Sequence, residues 1–153
     1  MYTKQQLKTR INRLSVLAAH LKNVSNKKFN LGYWVGHEYN YERTSNVEIV
    51  KAVCDHSCGT TACALGHAAS IPSFRRAGLK YFVEYDGADI LYKNSHNFVA
   101  GEHFFNISLE DSRYLFSPDE YNNGRKGKSY VIRRIEALIR KSEKELSKFS
   151  KPI

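Results

Sequence analysis

Two apolar stripes of helical period bracket this chain, and they constrain its fold more than any other feature. Leu7, Ile11, Leu14, Leu17, Ala18, Leu21 and Val24 recur at spacings of three and four residues, as one face of a helix of five to six turns requires. Near the other end Val131, Ile132, Ile135, Leu138, Ile139, Leu146 and Phe149 keep the same spacing, in a helix expected to start near Ser129. Thr3-Lys-Gln-Gln6 has the form of a capping box and sets the start of the first stripe. Lys4, Lys8, Arg10, Arg13 and Lys22 are expected mostly on the other faces of that helix. Helices this long must cover their stripes with something, and 153 residues suffice for one core and one domain, residues 1–153.

Between the stripes the pattern changes. Residues 27–41 are rich in Asn, Gly and aromatic residues, including Phe29, Tyr33, Trp34, Tyr39 and Tyr41, and read as an ordered loop docked on the core. Asn46 to Cys54 reads as a short helix or an extended piece. Thr60 or Thr61 is expected to cap a helix through Ala62 to Ser70, and Pro72 to open a short helical turn that stops at Gly78. Lys80 to Tyr85 and Ile90 to Lys93 flank an Asp86-Gly87 turn signal and predict a β-hairpin. Val99 to Asn106 and Leu109 to Phe116 predict two short helices, Pro118 to Gly127 a polar loop, and the tail after Phe149 a loose end. The expected class is α+β: a mostly helical single domain with a small antiparallel β-hairpin or sheet.

Composition separates the function classes. No apolar run approaches the roughly 18 residues of a membrane span, and the N-terminal stretch lacks the apolar region of a signal peptide, so a cytoplasmic location and no membrane partner are expected. Three cysteines in a reducing compartment argue against a disulfide framework. The net charge of +9 is concentrated at the ends. Residues 1–30 carry +7 and residues 124–153 carry +7, whereas residues 31–123 carry −5. Basic ends around an acidic middle suggest a polyanionic partner, and also attraction within the chain or between copies in a homo-oligomer, with a solvated charged face as the alternative.

All three cysteines and two of the six histidines lie between residues 54 and 70, where three readings compete. Cys54, His56, Cys58, Cys63 and His67 offer more than the four ligands zinc needs, but the spacing matches no common zinc signature. Cys58 before a helix start would have its thiolate favoured by the dipole, with His56 or His67 as base, but no oxyanion or acid partner is identifiable. The third reading is packing combined with ligand binding. Ala62, Cys63, Ala64, Gly66, Ala68, Ala69 and Ser70 are small enough for another backbone to approach, and Gly59-Thr60-Thr61 offers amides and hydroxyls to an anion. No P-loop, dinucleotide fingerprint, helix-turn-helix or RNA-recognition motif is present. The scattered histidines His20, His37, His96 and His103 read as surface or core residues.

The segment Cys58-Gly-Thr-Thr-Ala-Cys-Ala-Leu-Gly-His-Ala, followed by Ile71-Pro-Ser-Phe-Arg-Arg-Ala-Gly-Leu79, resembles a group of small phage and prophage proteins that share a Cys-Gly-Thr-x-x-Cys-x-x-Gly-His/Trp-Ala core. Phe29-Asn-Leu-Gly-Tyr-Trp34 is similar to an aromatic segment of that group, and Phe104 to Tyr121 to a further one, so the resemblance covers most of residues 29–121. Its recurrent cysteines match Cys58 and Cys63, whereas Cys54 and His56 fall outside the pattern, which weakens zinc. The resemblance implies a phage accessory protein that acts by binding in the host cytoplasm, blocking a host defence protein or sequestering a nucleotide signal. Joined to the residue reading, the expectation is a binding protein without catalytic residues, metal or cofactor. Its anionic ligand would be held by Tyr33, Trp34, Cys58, Gly59, Thr60, Thr61, Cys63 and His67. A basic nucleic-acid-binding regulator is the alternative, with a thiol or metal enzyme third.

Overall fold

A computed structural model describes residues 1–29, 63–84, 87–121 and 127–150, with the side chains of 83, 84, 87, 88 and 119 excepted. Helix α1 spans Lys4–Asn23, and Thr3 closes the expected capping box with Gln6: its Oγ1 accepts from the Gln6 amide at 3.1 Å and its own amide donates to Gln6 Oε1 at 2.8 Å. A 3₁₀ turn at Asn26–Lys28 follows. Helix α2 is Ala64–Ala68 and α3 is Pro72–Arg76, with Pro72 in its first turn. Gly78 adopts φ +103°, a conformation that favours glycine, and turns the chain out of α3 into the sheet.

Strands β1 (Leu79–Glu84), β2 (Gly87–Tyr92) and β3 (Ser95–His96) form an antiparallel sheet in the order β1-β2-β3. The hairpin is where the sequence placed it, but its turn is shifted by one residue. Gly87 pairs with Glu84, so Gly87 belongs to the strand and the connection is 85–86. The two-residue strand β3 was not anticipated, because two residues carry no readable period. The register stacks Leu79 opposite Tyr92 and Tyr81 opposite Ile90, and among the described side chains these four are the buried residues of the sheet. Lys80 and Phe82 alternate with them on the exposed face.

Helices α4 (Asn97–Phe105) and α5 (Leu109–Phe116) agree closely with expectation. Asn106 ends α4 in the left-handed region, at φ 52° and ψ 49°. Ser108 caps α5, accepting from the Asp111 amide at 3.0 Å, while Glu110 and Asp111 sit in its first turn and complement the dipole. The two helices approach closely at Gly101. A Cβ there would lie 2.7 Å from Ser112 Oγ, a hydroxyl that donates to the Phe98 carbonyl at 2.6 Å. Helix α6 spans Lys128–Ser147.

Contacts between α1 and α6 define their direction. Arg10 reaches Ser142, Lys22 reaches Glu136 and Lys128 reaches the Val24 carbonyl, so the two long helices lie antiparallel. Their stripes close over Leu65, Phe74, Ile90, Phe104, Phe105 and Phe116, with Phe104 edge-on to Phe74 at 4.9 Å and to Tyr92 at 5.1 Å. The molecule is therefore α+β, mostly helical with a small antiparallel sheet. No helix among the described residues is long and apolar enough to cross a membrane.

One expectation for α1 fails. Arg10 does not sit on an outer face; it is 3% exposed. Its Nε donates to the Asn106 carbonyl at 2.7 Å and its Nη1 to Ser142 Oγ at 3.3 Å, while its Cζ lies 4.0 Å from the Tyr2 ring centre. Arg13 donates to the Phe104 carbonyl at 2.5 Å. Both arginines thus satisfy carbonyls at the C-terminal end of α4, where the helix dipole is negative and the last carbonyls lack helical partners.

Candidate functional site

Of the eight residues expected to bind a ligand, the described structure contains Cys63 and His67. Tyr33, Trp34, Cys58, Gly59, Thr60 and Thr61 lie outside the described residues, as do Cys54 and His56.

The helix that carries the pair is shorter than predicted. Cys63 is its N-cap, with extended backbone at φ −73° and ψ 176°, and helical geometry begins at Ala64. Cys63 Sγ accepts from the Gly66 amide at 3.4 Å, which is the capping role expected of Thr60 or Thr61. Cys63 is 1% exposed, and burial pushes its thiol up to about 11, with the Gly66 amide the largest opposing influence. This environment holds a protonated, packed thiol at neutral pH. Among the described residues no group of three His, Cys, Asp or Glu side chains could hold a metal.

His67 is 1% exposed and lies at the meeting point of three other segments. Its Nε2 is 2.8 Å from the Lys28 carbonyl. A carbonyl only accepts, so Nε2 carries the proton and donates. The Phe29 ring stacks on the imidazole at 6.2 Å and 9°, and the His20 ring lies 6.1 Å away. Next to His67, the Gly66 carbonyl accepts from the Tyr81 hydroxyl at 2.5 Å. The small residues of α2 therefore let α1, the 3₁₀ turn and β1 converge on one point.

Phe29 links this point to a cleft of about 520 Å³, lined by Lys22, Asn26, Phe29, Gly127, Lys128, Ser129 and Ile132. The cleft lies between the C-terminal end of α1 and the N-terminal end of α6. Gly127 is the N-cap of α6 and supplies no side-chain cap, and no acidic residue occupies the first turn. The positive end of a 20-residue helix is thus left without a carboxylate of its own. Lys128 Nζ donates to the Val24 carbonyl, and Lys22 Nζ lies 2.6 Å from Glu136. Lys22 holds the Glu136 carboxyl below the usual range. Lys128 is thus fastened at the cleft, whereas Lys22 is exposed and already paired, so an anion that reaches it competes with Glu136.

No protein-family profile, curated protein or solved structure matches this chain. The cleft residues Lys22, Asn26, Gly127, Lys128 and Ser129 were not singled out from the sequence. Their signal was weak: a glycine and two lysines at two helix ends about a hundred residues apart, which only the antiparallel packing of α1 on α6 brings together.

Proposed function

We propose that the chain is a non-enzymatic accessory protein of the phage type that counters host defence by binding an anionic ligand of the nucleotide-signal class. The observation that carries this reading is the cleft at the start of α6, where Lys22 and Lys128, an α6 N-terminus without its own carboxylate and the Phe29 ring meet in about 520 Å³. Helix amides and ammonium groups attract phosphate, and an aromatic ring stacks on a flat base. That volume falls within the range of small-molecule sites. The stacking of Phe29 on His67 ties the cleft to the segment that resembles the phage and prophage group, and that resemblance supports the setting.

Calorimetry with a panel of cyclic and linear nucleotides tests the reading. At least one nucleotide should bind with micromolar affinity, and Lys128→Gln should weaken it about tenfold, the equivalent of roughly 1.4 kcal/mol. If no nucleotide binds better than millimolar (about −4 kcal/mol), the reading fails and direct binding to a host defence protein replaces it.

A further inference from the structure

Helix α6 carries a second cationic feature on the face turned away from the core. Arg133, Arg140, Lys141, Lys144 and Lys148 are all exposed, and so are Tyr130 and Ala137. At 3.6 residues per turn, these seven positions fall within an arc of about 120°. They run from the first turn of α6 to the residue just beyond its end, a distance of about 27 Å at 1.5 Å per residue. The carboxylates of α6 lie off this arc, with Glu136 paired to Lys22 on the α1 side. Among the described residues, none of the five cations has a carboxylate within 4.0 Å. At the N-terminal end, Arg133 lies 5.4 Å from the Tyr130 ring centre.

Five cations on one straight face repel one another, and although Glu136 attracts Arg140, none of the five forms an ion pair within the described residues. We infer that the outer face of α6 is a binding surface for the phosphate backbone of duplex nucleic acid, without reading of bases. The partner must be an extended polyanion, because the charges, from Arg133 to Lys148, are strung along about 22 Å rather than gathered at a point. An anionic lipid surface fits less well. A helix that lies on a membrane inserts its apolar face, and here Val131, Ile135 and Leu138 are already buried against the rest of the protein. The only large apolar group on the exposed arc is Tyr130. The inference extends to phosphate contact alone, because it rests on the spacing of charge along the helix and phosphate contacts carry no sequence information. This surface is separate from the cleft at the start of α6, and either can hold without the other.

The test measures binding of a mixed-sequence 20-base-pair DNA duplex by anisotropy between 50 and 200 mM salt. If all five cations meet phosphates, log K should fall with log salt at a slope of about −4.5. The triple variant Arg140→Gln, Lys141→Gln, Lys144→Gln should lower the slope to about −1.8 and weaken binding about tenfold or more at 100 mM salt. The single variant Ala137→Glu places a carboxylate in mid-stripe with a good helix former, and should weaken binding at least about threefold. A charge-matched control, Arg76→Gln, Lys80→Gln, Lys93→Gln, should stay near the parent protein. The inference is overturned if the two triple variants behave alike, since net charge alone would then explain binding. It is also overturned if the α6 variants bind as the parent does, or if the parent binds vesicles containing phosphatidylserine but not the duplex.

Discussion

Cys63 shows how one side chain can carry a functional appearance and a structural role. Its spacing from His67 is that of a ligand pair on a helix, yet its sulfur caps that helix and its thiol is buried. The folded state keeps a proton that the unfolded chain loses above about pH 9, so unfolding releases a proton there and stability falls as pH rises from about 9 to about 11. Below pH 9 both states hold the proton and the thiol contributes no pH dependence. Tyr121, pushed up to about 12 by burial, adds a loss of the same sign at higher pH. Denaturant melts at pH 8 and pH 10 should show this fall in the parent protein, and Cys63→Ala should remove most of it at the cost of the cap, about 1 kcal/mol at pH 8. An unchanged alkaline slope in Cys63→Ala would mean that the thiol is not the group responsible.

Among the elements, the antiparallel α1–α6 pair organises the rest, and Arg10 shows what that packing demands. A sequence reading puts an arginine outside the apolar stripe, in water. The structure buries it because the C-terminal end of α4, with its left-handed Asn106, presents a carbonyl that needs a donor between the two long helices. The guanidinium supplies that donor and a second one to Ser142. Its Nη2 is buried without a hydrogen-bond partner in the described structure, so the arrangement is costly as well as specific. Arg10→Ala should destabilise by about 2–3 kcal/mol through the lost charge-assisted bonds, and Arg10→Lys should recover only part of this, because one ammonium cannot reproduce the planar fork. Urea unfolding of both variants measures it; a fully stable lysine variant would show that charge rather than geometry matters at this site.

At the scale of the whole molecule, α2 is where the long helix, the 3₁₀ turn and the sheet meet. Gly66 is buried in it, and its carbonyl anchors the Tyr81 hydroxyl of β1. Gly66→Leu should therefore destabilise by on the order of 1–3 kcal/mol or more through overpacking. An unchanged denaturation midpoint would show instead that the residue faces a roomy space.

What the sequence determined by itself is the set of elements that carry strong local signals. The capping box at Thr3, the stripes of α1 and α6, the proline that opens α3, the glycine at 78 and the turn signal of the hairpin all depend on neighbours within a few residues, so local chemistry decides them. The tertiary structure decided where those elements place their polar groups. The burial of Arg10, the capping sulfur of Cys63, the contact of His67 with the Lys28 carbonyl and the cleft shared by Lys22 and Lys128 each join residues that are far apart or depend on burial. No sequence period encodes such meetings. They arise because closing two long helices over one core brings together whatever polar groups border it, and each buried group must then find a partner.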